Sequence, residues 1–311
     1  MASPAPELHV MAEGLRFPEA PVVLPDGSVA VVEIAAGRIT AVAPAGEKRV
    51  LATTGGGPNG MALGPDGKLF VCNNGGFEWH EEPGLLRPAA QAKDYSGGRI
   101  EVVDPATGSV TRLYEGCGEH RLKGPNDIVF DPVHGGFWFS DLGKVRARDR
   151  DHGGVYWAAA DGSRIVEAAF PVFGGANGIG LSPDAKTLYV AETETGRLWA
   201  WDVQGPGLLR KDPWPSTAGG RVLCQFPGYR RLDSLAVTEA GNICVATLVS
   251  GEITTVSPRG EIIRVVKMPE RMPTNICFGG EGMRTAYVTL STSGRLVSLP
   301  WDEAGYRLPH G

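Results

Sequence analysis

Cysteine, asparagine and charge are all scarce in this chain, and long apolar runs are missing. The five cysteines, Cys72, Cys117, Cys224, Cys244 and Cys277, are odd in number and show neither redox nor metal-ligand spacing. They read as reduced thiols, which sets the expectation of a cytoplasmic protein. No apolar run approaches the length of a membrane span, and the start MASPAPELHV lacks the basic and apolar regions of a signal peptide. Charged residues make up 21% of the chain, 30 basic against 35 acidic. The one basic stretch, Lys144 to Arg150, is followed at once by acids, so neither nucleic acid nor a membrane is expected as a partner.

What the chain has in surplus is Gly, 44 residues, and Pro, 24 residues, together 68 of 311. Average usage of the two is about 12%, and their cost inside helices, roughly 1 and 3 kcal/mol each, argues against a helical bundle. Hydrophobic residues are still 42%, too many for a disordered chain, and no three-residue glycine period suggests collagen. Many short strands joined by many turns fit this composition. Length alone would suggest two domains, but propellers exceed the usual domain size as one unit, so a single domain over residues 1–311 is expected.

Internal repeats sharpen this to one fold. The segments starting at Phe17 (FPEAPVVLPDGSVAVVE), Gly57 (GPNGMALGPDGKLFVCN), Gly124, Gly175, Arg231 and Pro273 each contain a short apolar strand, a Pro-Asp-Gly-like turn and a second strand. A third strand follows behind a Gly in all six, and a fourth in five. This predicts an all-β, six-bladed β-propeller with four antiparallel strands per blade. The last unit lacks an outer strand, and the N-terminal ELHVMAEG is expected to complete it and close the ring. Two stacked β-sandwiches, the alternative, would not explain the fixed register.

One register position carries chemistry. Six residues before the turn residue stand Glu19, Asn59, Asn126, Asn177, Asp233 and Asn275, and four of the seven Asn in the chain fall there. Turn preference would enrich Asn and Asp at such a position but does not account for Glu19. In a propeller this position begins the innermost strand, so all six side chains would face the central channel from one rim. Six oxygens around one axis are either a costly desolvated cluster or a metal site. Two carboxylates and neutral amides without His or Cys suit one divalent cation, Ca²⁺ foremost, with Mg²⁺, Mn²⁺ and Zn²⁺ as alternatives. Glu19, Asn177 and Asp233 form the expected inner shell, and Asn126 is either a fourth ligand or the residue that holds substrate.

At these residues the chain resembles the SMP-30/gluconolactonase/LRE-like family of six-bladed propeller lactonases. The resemblance rests on FPEAP with Glu19, GPND with Asn126, GGANGIGLSPDAKTLYVAET with Asn177, RLDSLAV with Asp233, and PTNICFGG. It implies that the matching Glu, Asn and Asp hold a divalent metal and that Asn126 lies beside metal and substrate. It also implies hydrolysis of a small lactone, with Asp233 as the carboxylate base acting on a metal-activated water. Another ester or an organophosphate, or a non-enzymatic binding platform, are the alternative readings. Members acting on sugar lactones often carry polar residues where this chain has Gly124-Pro125 and Thr247-Leu248, which leaves less polar lactones open.

Long loops in a compact fold are usually binding elements. The stretch from Asn73 to Gly98 is the longest on the expected metal rim, and Asp141 to Gly153 the next. Trp79, His80 and Tyr95 on the first, His120 beside Glu119 and Arg121, and Asn59 are therefore candidate substrate contacts. The competing reading of the loop aromatics is that they pack it onto the neighbouring blade. Glu33, Asp141 and Glu192 end second strands and read as loop-holding groups.

Overall fold

Turn chemistry punctuates the chain about every ten residues, and between the turns lie strands of five or six residues that build six antiparallel sheets. The structure, a computed structural model, describes residues 7–311. From the axis outward, blade 1 contains Pro18–Val23, Val29–Glu33, Arg38–Val42 and Lys48–Thr53, and blade 2 contains Pro58–Leu63, Leu69–Asn73, Arg99–Val103 and Val110–Tyr114. Blade 3 contains Pro125–Phe130, Phe137–Asp141, Gly153–Ala158 and Ile165–Val172. Blade 4 follows with Ala176–Leu181, Thr187–Glu192, Arg197–Gly205 and Arg221–Gln225, and blade 5 with Arg231–Val237, Ile243–Leu248, Glu252–Val256 and Ile262–Lys267. Blade 6 has Pro273–Gly279, Thr285–Leu290 and Arg295–Pro300, and its outer strand is His9–Ala12 from the other end of the chain. The protein is a six-bladed β-propeller.

Burial explains the composition of each strand. Second strands such as Leu69–Asn73 and Phe137–Asp141 are buried at every position, because both faces of a blade pack on neighbouring blades. Outer strands such as Lys48–Thr53 keep several residues in water. Large aromatics fill the gaps: Phe70, Phe130, Phe137, Phe139 and Tyr156 between blades 2 and 3, and Trp138, Trp157, Trp199 and Trp201 between blades 3 and 4.

The N-terminal strand closes the ring as expected. His9 pairs with Ser298 and Val10 with Val297, while Ala12 and Leu15 join Val29, Val31 and Leu296 in the core between blades 6 and 1. Removing residues 1–13 is expected to lower the melting temperature by about 5 °C or more, given roughly 2–4 °C per kcal/mol for a large domain. It also bares an edge strand that invites aggregation. Thermal unfolding followed by circular dichroism checks this, and an unchanged transition would mean that the ring holds without the strand.

Two insertions depart from the four-strand plan. The stretch expected as a loop after Asn73 is itself a hairpin, Phe77–Glu82 against Leu85–Gln91, and a two-residue ribbon, Gly116–Cys117 with His120–Arg121, precedes blade 3. Apolar residues alternating along Phe77–Gln91 fold back on neighbouring blades, which supplies the burial a free loop would lack.

Candidate functional site

Each inner strand carries a β-bulge at its start. Pairing with the second strand shifts register between Glu19 and Val22, Pro58 and Met61, Pro125 and Ile128, Ala176 and Ile179, Leu232 and Leu235, and Pro273 and Asn275. The six register residues lie at or inside these bulges, which release side chains from the pleat and re-aim them. At Ala20 the backbone adopts φ 46°, a left-handed conformation that a non-glycine residue rarely takes, and its N–H donates to Glu19 Oε2 at 2.7 Å.

Glycines bring the strands together. A Cβ on Gly60 would lie 2.2 Å from the Asn126 carbonyl oxygen, and one on Gly178 would lie 2.6 Å from that of Asp233. Blades 2 and 3, and blades 4 and 5, therefore touch backbone to backbone beside the register residues.

The side chains are tied down by identifiable bonds. Asn275 Nδ2 donates to Glu19 Oε2 at 2.8 Å, and Ile276 N–H donates to Asn275 Oδ1 at 2.7 Å. Asn177 Nδ2 donates to Thr193 Oγ1 at 3.0 Å, which leaves Asn177 Oδ1 buried with no hydrogen-bond partner. Burial of such an acceptor without a partner is rare and calls for an explanation. Asn59 and Asn126 are also buried on their inner strands, and Asp233 is half-buried.

Asp127, which the register does not mark, belongs to the same group. Its N–H donates to Ser140 Oγ at 3.0 Å, and its Oδ1 accepts from Ile128 N–H at 2.9 Å. Burial and then the charge of Glu19 push Asp127 up to about 7. Burial raises Glu19, and burial followed by the charge of Glu19 holds Asp233 well above the usual carboxylate range. Among the described residues, no Lys, Arg or His forms an ion pair with Glu19, Asp127 or Asp233. The buried Glu19 and Asp127 thus lack an ion-pair partner, and the half-buried Asp233 feels Arg231 only at a distance.

These features fit a hard cation: the free Asn177 oxygen, two carboxylates that repel each other, and a neutral amide set. Among the described residues, no three His, Cys, Asp or Glu side chains are grouped as a metal site, so a cation here would depend on amide oxygens as much as on carboxylates. Below this ring the channel opens into a cavity of about 480 Å³ with mostly apolar walls, such as Met61, Ile128, Ile179 and Leu235; Asp127 and Asn275 also line it.

The loop-holding residues act as expected. Asp141 accepts from the N–H groups of Lys123, Gly124 and Gly143 at 2.8, 2.7 and 2.8 Å, fixing the approach to Pro125-Asn126. Glu192 accepts from Gly174 N–H at 2.7 Å and from Trp199 Nε1 at 2.9 Å, and Glu33 accepts from Arg16 N–H at 2.8 Å. The loop aromatics are placed differently from the channel residues. The Trp79 ring packs 5.2 Å from that of Phe17, and Tyr95 donates to the Lys123 carbonyl at 2.6 Å. His80 pairs with Glu82 on the exposed hairpin, while His120 and Arg121 line a separate surface pocket of about 370 Å³ with Tyr156 and Phe170. No hydrogen bond joins these side chains to Glu19, Asn177 or Asp233 among the described residues.

A lactonase drp35 of Staphylococcus haemolyticus is 28% identical over 268 residues, covering 86% of this chain and 74% of the relative. A gluconolactonase of Zymomonas mobilis is 25% identical over 257 residues, covering 76% of this chain and 61% of that protein. The solved structure of a calcium-binding protein, regucalcin, from Agrobacterium tumefaciens superposes with a TM-score of 0.71 at 20% identity, covering 97% of this chain and 98% of the other, a likeness of fold. The SMP-30/Gluconolactonase/LRE-like region matches residues 17–292. This chain belongs to the SMP-30/Gluconolactonase/LRE-like family.

Proposed function

We propose that the protein is a divalent-metal-dependent hydrolase that opens a small lactone. The observation that carries this reading is the pairing of unneutralised Glu19 and Asp233 carboxyls with the unpartnered Asn177 oxygen at the head of the channel. The named lactonase and gluconolactonase relatives support the reaction class, and the calcium-binding structural neighbour agrees with the donor chemistry.

Glu19, Asn177 and Asp233 would hold the cation, with Asn126 beside it as a further ligand or as the group on the substrate. When bound, a divalent cation there supplies Lewis acidity toward a carbonyl and a water. The chain's own groups do the rest. Asp233, made basic by burial, takes a proton from the attacking water as its oxygen bonds to the lactone carbonyl carbon. The Asn126 amide donates to the carbonyl oxygen as negative charge builds on it. The ring C–O bond then breaks, the proton held at Asp233 passes to the leaving alkoxide, and a hydroxy acid results. The Thr193 hydroxyl accepts from the Asn177 amide nitrogen, which fixes the flip of the amide and leaves its oxygen free for a cation.

Proton competition gives a test. A cation binds the deprotonated carboxylates, so acids with raised pKa values must release protons on binding, and affinity must rise with pH. Calcium titration by calorimetry is expected to show at least tenfold tighter binding at pH 8 than at pH 6. A flat profile, or no divalent cation retained and none restoring hydrolysis after chelation, would overturn the reading. Without cation the sign reverses for the fold: the native state holds these protons above the unfolded carboxyl value near 4, so the apo ring loses stability as pH rises from there. A panel of aldonolactones, aliphatic lactones, linear esters and phosphotriesters, each with and without chelator, identifies the reaction.

A further inference from the structure

Lys144 is a cation in the wrong place for a surface residue. It is 1% exposed, and among the described residues no carboxylate pairs with it. Its Nζ donates to Asn74 Oδ1 at 3.0 Å and to the Gly76 carbonyl at 2.8 Å, and lies 3.9 Å from the centre of the Phe77 ring. Burial pushes it down to about 7, against the pull of Asp141 and Asp151. An apolar side chain of similar length would fill this space at lower desolvation cost. The arrangement therefore asks what the charge and its two bonds accomplish.

Their position answers. Lys144 stands on the loop after the second strand of blade 3, and all three partners, Asn74, Gly76 and Phe77, stand at the base of the hairpin inserted in blade 2. Gln91 N–H donates to the Val145 carbonyl at 2.9 Å, joining the hairpin's returning strand to the same loop. From this base the hairpin reaches along the metal rim: Trp79 lies on Phe17, Glu81 pairs with Arg16 at 2.6 Å, and Leu86 N–H donates to the Thr292 carbonyl of blade 6 at 3.0 Å. It is a strap over blades 2, 1 and 6, two residues from Glu19 at Phe17. Asn74 in turn lies against Gly57, where a Cβ would come 2.5 Å from its Oδ1, two residues before Asn59. Asp141, three residues before Lys144, fixes the approach to Asn126.

We infer that Lys144 is a positioning residue for the lactonase reaction, clamping the strap to blade 3 so that it forms one wall of the substrate site and holds the start of the Asn59 strand. This rests on the lactonase reading above. The clamp itself is testable without turnover. In Lys144→Met, hydrogen exchange of strap amides at residues 77–91 is expected to accelerate at least tenfold while the inner strands of blades 4 and 5 stay unchanged. In the same variant KM for the best lactone is expected to rise at least tenfold with kcat falling less than threefold. Unchanged exchange in the strap overturns the clamp, and a fall in kcat at constant KM overturns the positioning role. An inactive wild type with accelerated strap exchange in the variant would count against the lactonase reading alone. Should Lys144→Met fail to fold, a variant with residues 79–89 replaced by two glycines removes the strap and leaves Lys144. It must show the same rise in KM, and a wild-type KM there overturns the proposal.

Discussion

Asp233→Ala should lower kcat/KM for the preferred lactone by roughly a thousandfold, within the range of about 10² to 10⁴ that general-base catalysis contributes. The same change should weaken cation binding, because one of the two carboxylates proposed to hold the cation is gone. The two effects are separable by measuring hydrolysis at saturating calcium. Asp233→Asn keeps the size and one ligating oxygen but cannot take a proton, so it should bind cation better than the alanine variant and hydrolyse no faster. Wild-type turnover in either cation-loaded variant would remove Asp233 from the chemistry and shift the search for a base to Asp127, the only other carboxyl among the described residues that is raised by the charge of Glu19.

Gly60→Ala is expected to be nearly as damaging, for a different reason. Its backbone is ordinary, so the issue is space and not conformation. The added carbon would meet the Asn126 carbonyl at 2.2 Å and the Asp127 Cα at 2.6 Å, both main-chain atoms with no side-chain freedom to yield. Overpacking a tight core costs about 1–3 kcal/mol and more where backbone must move. Blades 2 and 3 must separate, carrying Asn126 and Asp127 with them, so stability and cation affinity should fall together. Denaturant unfolding and calcium calorimetry on one preparation check this. A stable variant with native affinity would show that the close approach of the two strands does not set the site. Gly178→Ala makes the parallel test between blades 4 and 5, where the obstacle is the Asp233 carbonyl at 2.6 Å.

The ring and its chemistry were legible to different depths. Six copies of one hairpin in fixed register carry six independent signals of the same fold, so errors in any single strand hardly matter. Asn126 and Asn177 stood out because a scarce residue recurs at one register position, and Glu19 and Asp233 because they occupy that same position in their repeats. Asp127 was not, since a carboxylate following Asn in a Pro-Asn-Asp run looks like turn chemistry until the bulge turns it toward Glu19. Gly60 and Gly178 did leave a trace, each directly following a register Asn, but only the approach of a neighbouring backbone gives that glycine meaning. Lys144 left none: its partners Asn74 and Gly76 lie some seventy residues away in the chain. The Asn73–Gly98 stretch shows the same limit in reverse. Its length marked it as special, yet alternation across a hairpin with irregular pairing was too weak to separate strand from loop, and Trp79 turned to Phe17.

The paired ends of blade 6 have a kinetic side. Val10 meets Val297, a separation of 287 residues (297 minus 10), so a segment made before all six blades finds its partner only after the last of them is made. Until Arg295–Pro300 emerges, His9–Ala12 has no native strand to bind, and blade 1 waits without the Ala12 and Leu15 side chains that seal it to blade 6. Loop closure over such a distance is slow to nucleate even though its entropy grows only logarithmically with length. The other five blades are assembled from neighbours in sequence and can form as they appear. Growth of the ring is thus sequential, its completion a single long-range event, and conditions that delay that event leave an unpaired edge beside the Glu19 strand's own blade.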